Sequence, residues 1–304
     1  MATQLVECVP NFSEGRNAEV IEAIVAPFKS KKGVAVLDYR ADKDHNRLVV
    51  SLAGQPDPIT ESLMEAAQIA YKHINMETHQ GGHPRVGAMD VVPFVPLRNM
   101  EMKDCIGMAH SFGKELNRVT GVPVYFYEEA ALKPERKRLE IVRKGQYEAL
   151  KTEIANPERH PDVGEPKIHP TAGACVVGAR KFLIAFNVNL GTRDLNVAKE
   201  IAKAVRSSSG GLMHVKGIGL ALEDKGMTQV SMNLVDYEKN ALYRVIEMIR
   251  MEARRWGVEI VETELYGMAP VMALLNSAAY YMQLADFDPR QVVEVALLDL
   301  MGND

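Results

Sequence analysis

Apolar positions in the first third of the chain switch between two periods in a regular order. Residues 3–9 carry Leu5, Val6 and Val9 as a short extended run, and the polar loop that follows ends at Asn17, a residue type whose side chain caps helices. Val20, Ile21, Ile24, Val25 and Phe28 then recur at helical spacing, and Pro27 with Lys31-Lys32-Gly33 ends that helix. The apolar run 34–37, closed by Asp38, predicts a second strand. Residues 48–53 predict its partner, antiparallel because the polar connection between the two is short. Asp57-Pro58 opens a second helix whose inner face is Ile59, Leu63, Ala66, Ala67, Ala70 and Ile74. Residues 91–96 form a last strand, and Pro93 and Pro96 within it predict a sheet edge or a bulge. The order is βαββαβ, the split-βαβ arrangement in which two helices cover one face of an antiparallel sheet.

The same order returns after residue 180. A strand at 182–189 leads to a helix capped by Asp194, and strands at 215–222 and 229–234 follow. A helix over about residues 238–255 and a strand at 258–261 close the set. The expectation is an α+β fold of two tandem ferredoxin-like subdomains, residues 1–180 and 181–304, whose sheets flank a shared cleft. Between the repeats, residues 101–118 predict an amphipathic helix and 122–127 a strand, and the charge run from Lys133 to Arg138 reads as a solvated helix start. Four prolines and two glycines make residues 155–174 irregular. That stretch is a plain linker or, because Lys167, His169 and Thr171 stand between prolines, a stiff polar wall for a ligand lying between two lobes. Gln229, Ser231 and Asn233 give one strand an uncharged polar face, either half exposed or suited to an amide-rich ligand. Residues 270–301 predict two apolar helices.

The stretch from His79 to Asp90 breaks the periodic pattern and concentrates chemistry: His79, Gly81, Gly82, His83, Pro84, Arg85, Gly87 and Asp90. Glycines permit positive φ, and Pro84 holds His83 away from helix, so the imidazole is aimed from a constrained turn. A titratable ring beside a guanidinium suits a general acid/base next to an anion-binding group. A surface turn with two solvated histidines is the bland alternative. Metal binding is not expected, because the glycines deny His79 and His83 a common helix face. Gly217 and Gly219 lie in a strand with no helix after them, and no Walker-type lysine occurs, so nucleotide phosphates are not implied.

At 304 residues the chain is long enough for two medium domains, and 47% hydrophobic with 25% charged residues is ordinary for a globular protein. No run is apolar for long enough to span a bilayer, and no secretory signal opens the chain, so a cytoplasmic enzyme or binder with no membrane role is expected. Cys8, Cys105 and Cys175 have no C-x-x-C spacing and read as buried thiols. A net charge of −4 without a long basic tract argues against a nucleic-acid partner.

Four stretches in order carry a resemblance: Leu5 to Gly15, His83-Pro84-Arg85-x-Gly87-Ala88-x-Asp90, Gly178 to Asn187, and Gln229-Val230-Ser231-x-Asn233-Leu234. They resemble glutamate formimidoyltransferase from end to end, and equally the formiminotransferase part of formimidoyltransferase-cyclodeaminase, the chain stopping where the cyclodeaminase part would begin. The resemblance implies a homodimer that transfers the formimino group from N-formimino-L-glutamate to tetrahydrofolate, its co-substrate, in histidine degradation, without metal or nucleotide. It also implies His83 as the catalytic histidine. The family's folate-contacting segment falls on Gly164, Glu165, Pro166, Lys167, Ile168, His169, Pro170, Thr171, Ala172 and Gly173. Asp38 is the candidate helper carboxylate, although Arg40 stands where the family has a further acid. Arg47, Arg85 and Lys167 are candidate partners for substrate carboxylates, and His79 is assigned no role. A related activity on 5-formyltetrahydrofolate, or a folate-binding protein without turnover, are the alternatives.

Overall fold

A computed structural model describes residues 3–301 and divides the chain into two compact units, the first ending at Arg180 and the second beginning at Lys181. Each contains its own sheet and core, in an α+β arrangement.

The first unit opens with β1 (Leu5–Cys8) and β2 (Asn11–Phe12), two pieces of one strand path interrupted at Val9 and Pro10. Helix α1 (Ala18–Ser30) starts where Asn17 accepts hydrogen bonds from the Glu19 and Val20 amides, and it runs through Pro27 to Ser30 rather than ending at the proline. Strands β3 (Val34–Asp42) and β4 (Arg47–Gly54), helix α2 (Pro56–His73) and β5 (Met89–Arg98) complete a βαββαβ set. Helix α3 (Met102–Thr120), β6 (Val124–Glu128), the short helices α4 (Leu139–Val142) and α5 (Gln146–Glu153), and β7 (Cys175–Ala179) follow. Across the sheet the order is β3, β4, β1 with β2, β5, β7, β6. The first four positions have the antiparallel neighbours of a split βαβ, and β7 and β6 extend the sheet in parallel.

Strand β5 is therefore interior rather than an edge, but the irregularity that its prolines equally predict is present: its register against β1 shifts between Val6, opposite Pro96, and Leu5, opposite Arg98. Pro93 is tolerated because it lies opposite the break between β1 and β2, whose pairings with β5 cover residues 94–98 and 89–91. Pro96 lies past Phe94 and Ala179, the last β5–β7 pair. Both positions lack one neighbour to receive an amide bond, which is what proline requires.

Helices α1, α2 and α3 pack on one face of this sheet, where Ile24, Phe28, Leu63 and Leu116 bury against Val6, Leu52, Phe94 and Phe126. Side chains of that size contribute about 1.5–3 kcal/mol each when fully buried. On the other face Val142 of α4 and Leu150 of α5 cover Val91, Tyr125 and Val176. The run from Lys133 to Arg138 does start a short helix, a 3₁₀ turn over Pro134–Lys137 with Glu135, Lys137 and Arg138 exposed, but Arg136 is 4% exposed and ion-paired to Asp162 at 2.6 Å. The irregular segment 155–174 is not a linker between the units either, since it lies within the first unit and leads into β7.

The second unit contains β8 (Ile184–Leu190), α6 (Leu195–Val205), β9 (Val215–Leu222), β10 (Met227–Leu234), α7 (Leu242–Arg255) and β11 (Ile260–Tyr266), then α8 (Val271–Met282) and α9 (Val293–Met301). Its sheet order, β11, β8, β10, β9, puts the first strand between the last and the third, as in the first unit, and is compatible with ferredoxin-like topology. The polar side of β10 is partly used internally: Gln229 is buried and donates to Asn189 (2.8 Å) and Glu264 (3.1 Å), while Asn233 is exposed.

Glu7 is a buried acid with a measurable consequence. It lies between Val6 and Cys8, which belong to the core under the helices, so strand alternation turns it to the opposite face. Burial pushes its carboxyl up to about 7 against the pull of the Arg180 guanidinium, and Oε2 lacks a hydrogen-bond partner among the described residues. Between pH 4.5 and about 7 the folded chain keeps a proton that the unfolded chain releases, so stability falls as pH rises through that window. Glu7→Gln should match the native protein at pH 4 and exceed it at pH 8, by on the order of 1–3 kcal/mol in urea unfolding. A difference that does not change with pH would contradict this.

Candidate active site

The loop after α2 is tied down at both ends. The Met76 amide donates to the Thr171 carbonyl (2.7 Å) and the Ala88 amide to the Ala172 carbonyl (2.8 Å), so the 169–174 turn is stitched to the residues flanking His83. Gly173, at φ +76, makes this possible, since a Cβ there would lie 2.3 Å from the Val86 carbonyl oxygen. Gly81 and Gly82 do not use left-handed backbone, contrary to the sequence expectation. Gly81 is needed for close approach instead: a Cβ would lie 2.2 Å from the His45 carbonyl oxygen.

That approach joins the His83 loop to the turn between β3 and β4. Asn46, in the left-handed region at φ 48, accepts from the Gly15 amide (2.9 Å) and donates to the Gln80 carbonyl (2.9 Å). His79 Nε2 donates to the Asn46 carbonyl (3.1 Å) while its Nδ1 accepts from Arg85 Nε (3.1 Å), which fixes the tautomer. His79 is thus a half-buried strut rather than a solvated side chain. Together these segments surround a solvent-open depression of about 190 Å³, lined by His45, His79, His83, Arg47, Arg85 and Asp90 with Asn11, Phe12, Ser13 and Asn46. Ser13 holds its own loop in place by donating from Oγ to the Gly87 carbonyl (2.8 Å).

His83 is half-buried in this depression. Burial, then the Arg47 and Arg143 guanidiniums, push its imidazole down to about 3, with His45 adding to the effect and the Pro84 backbone opposing it. The ring is a neutral base at physiological pH. Arg143 is held by an ion pair to Asp90, whose Oδ1 also accepts from the Val86 amide (2.7 Å).

The sequence-predicted helpers separate here. Arg47 lines the depression and donates to Asn11 Oδ1 (2.9 Å from Nε). Arg85 also lines it but is 6% exposed, with five donor contacts inside the protein: His79 Nδ1, the His79 carbonyl, Gln146, and both oxygens of Glu148 at 2.8 and 2.6 Å. A guanidinium has five N–H groups, so none remains for a substrate carboxylate, and Arg85 braces α5 against the histidine loop. Asp38 lies on β3, accepts from Arg40 Nε (2.9 Å) and is not among the lining residues. In the segment from Gly164 to Gly173, residues Gly164, Glu165, Pro166, Lys167 and Pro170 are exposed, while Ile168, His169 and Thr171 are half-buried and Ala172 and Gly173 are buried. The His169 imidazole accepts from the Ala172 amide (3.0 Å) and is pushed down by burial.

Asn11, Ser13, His45 and Asn46 were not singled out by sequence reasoning as site residues, and Asp90 was noted only as part of the His83 stretch. Asn46 sits at a polar turn and tolerates positive φ, and Asp90 closes the His83 motif, so both left a local trace. The approach of His45 to His83 is tertiary.

Profiles of the formiminotransferase domain match the chain twice: its N-terminal subdomain over residues 5–180 and the formiminotransferase domain over residues 185–302. The chain is similar to glutamate formimidoyltransferase of Streptococcus pyogenes serotype M1, 46% identical over 97% of this chain and 99% of that protein. It is also similar to the Thermoplasma acidophilum glutamate formimidoyltransferase, 43% identical over 95% and 96%. Formimidoyltransferase-cyclodeaminase of Mus musculus is 45% identical over 92% of this chain, which spans 52% of that longer protein. With both profiles matched and near-complete coverage of two such relatives, the chain belongs to the formiminotransferase family.

Proposed function

We propose that this chain is a transferase that moves the formimino group from N-formimino-L-glutamate to tetrahydrofolate, releasing L-glutamate and 5-formimidoyltetrahydrofolate, as in histidine degradation. The observation that carries the reading is a neutral His83 imidazole, backed by Arg47, in a depression whose loops hold the family's motif residues. As the pteridine nitrogen adds to the formimino carbon it loses a proton, which His83 accepts. The substrates bring carboxylates, and one of these set against Arg47 offsets the positive field that depresses His83, so the imidazolium becomes accessible only in the loaded complex. Neither a metal nor a nucleotide enters this route.

The depression is open to solvent and takes the reacting end of the substrates. The segment from Gly164 to Gly173 supplies the neighbouring folate contacts, a reading supported by its stitching to residues 76 and 88 on either side of His83. Residues 1–180 and 181–304 are the N- and C-terminal formiminotransferase subdomains. The chain acts as a cytoplasmic homodimer. Three free, buried thiols suit a reducing compartment, and exposed apolar side chains such as Leu274, Tyr281, Met282 and Leu298 suit a subunit contact.

The decisive assay mixes the purified chain with tetrahydrofolate and N-formimino-L-glutamate and follows free glutamate and the formimidoyl product, expected in equal amounts. No glutamate above the enzyme-free rate would overturn the assignment. Replacing Lys167, His169 and Thr171 together by Ala should weaken tetrahydrofolate binding about tenfold or more in titration calorimetry, a loss of roughly 1.4 kcal/mol. Unchanged affinity would reduce the segment to a structural turn.

A further inference from the structure

Formimino transfer moves two protons, one off the attacking nitrogen and one onto the departing glutamate nitrogen, and His83 accounts for the first. The loop between β3 and β4 carries a second imidazole in the same depression. His45 and His83 lie with ring centroids 6.2 Å apart and planes at 69°. The edge-to-face rings are neighbours on the wall of one depression, where a small reacting unit can be met by both. His45 is also held in orientation. Asp42 Oδ1 accepts the Asp44 and His45 amides (2.9 and 2.8 Å), and Asp42 Oδ2 takes His45 Nδ1 at 2.8 Å. Burial works to raise the Asp42 carboxyl, but these bonds from His45 and Asp44 bring it below its ordinary value, so it is a settled carboxylate. With Nδ1 taken, Nε2 is the nitrogen left to act.

The two rings face opposite charges. His83 is set against Arg47 and Arg143, and His45 against the Asp42 carboxylate. A ring beside guanidiniums and a ring hydrogen-bonded to a carboxylate suit different halves of the proton transfer.

We propose that His45, oriented by Asp42, is the general acid that protonates the leaving glutamate nitrogen, while His83 takes the proton of the attacking nitrogen; this rests on the reading of His83 as the base. The step balances. The pteridine nitrogen forms a bond to the formimino carbon and its proton passes to His83. The carbon–nitrogen bond to glutamate then breaks, with its electron pair taking the proton of His45. His45, whose side chain is 53% exposed, regains a proton from water as His83 gives one up.

The test uses the full chain with both substrates. His45→Ala should lower kcat by about 10²-fold, at the low end of what acid/base groups supply, with each KM within about threefold. Added imidazole should restore turnover, and across a set of substituted imidazoles the restored rate per protonated molecule should rise with acidity. Refilling a hole would not produce that trend. His45→Gln should show the same loss, and Asp42→Asn a smaller one, because it keeps an oxygen for the two backbone amides but removes the charge. His83→Ala is measured in parallel. If His83→Ala is crippled but His45→Ala keeps kcat within twofold, or is slow without acidity-dependent rescue, the acid assignment is wrong and the base assignment survives. If His83→Ala turns over normally, the base assignment fails and this proposal fails with it.

Discussion

His83→Ala is expected to lower kcat by about 10²–10⁴-fold, the contribution typical of a positioned general acid/base, with much smaller changes in substrate affinity. The imidazole lies in the depression, is held neutral by burial and by Arg47 and Arg143, and so accepts a proton without first having to lose one. The same electrostatics set the pH dependence. In the free enzyme the ring protonates only near pH 3, so the acid limb of kcat/KM due to this residue should fall far below the ordinary histidine value. Arg47→Met removes one of the depressing charges and should move that limb upward. In the loaded complex, substrate carboxylates oppose the same guanidiniums, so the limb of kcat should lie at higher pH than that of kcat/KM. His79→Ala is the control, though a different one from what its sequence position suggests. It should keep kcat within a few-fold while losing about 1 kcal/mol of stability, since its ring bonds Arg85 and the Asn46 carbonyl. Normal turnover by His83→Ala, or equal loss on replacing His79, would place the base elsewhere.

Arg136→Ala is expected to destabilise the first unit by about 3–5 kcal/mol, because it leaves a buried carboxylate without its partner. The Arg136 and Asp162 side chains are 5% and 2% exposed and meet at 2.6 Å. Asp162 also accepts the Phe126 amide of β6 (2.8 Å), and Arg136 donates to the His160 carbonyl (2.5 Å) with its guanidinium 5.0 Å from the Tyr125 ring centroid. The pair fastens the segment after α5 to the outermost strand of the sheet. Replacing both residues, Arg136→Met with Asp162→Asn, should cost less than the sum of the single changes, since no lone charge is then buried. Urea unfolding of the two single variants and the double variant completes the cycle. A loss below about 1 kcal/mol for Arg136→Ala would mean that water reaches the orphaned carboxylate.

What the chain announces locally is the element order. Helical spacing at Val20 to Phe28 and at Ile59 to Ala70, the Asn17 and Asp194 caps, and the short polar turns between strands each depend on residues a few positions apart, and the βαββαβ pattern was legible twice for that reason. The histidine loop was also legible, because glycine, proline and histidine are conspicuous side by side. The family was readable through resemblance, which spans four separated stretches.

Partners distant in sequence were not legible. Pro93 and Pro96 predict an edge strand or a bulge without deciding between them; β5 is interior with a register shift beside Pro96, since the break between β1 and β2 and the early end of β7 open gaps beside the prolines. A charge run reads as solvated until Asp162 is folded onto Arg136. Arg85 has the composition of an anion ligand and becomes a brace only when Glu148 and Gln146, more than sixty positions later, occupy its donors. His45 looks like one polar residue in a turn, and its pairing with His83 across 38 positions exists because Gly81 lets the two backbones touch. Periodicity follows from bond geometry between near neighbours, whereas the charge state and availability of a side chain depend on what the whole fold packs against it.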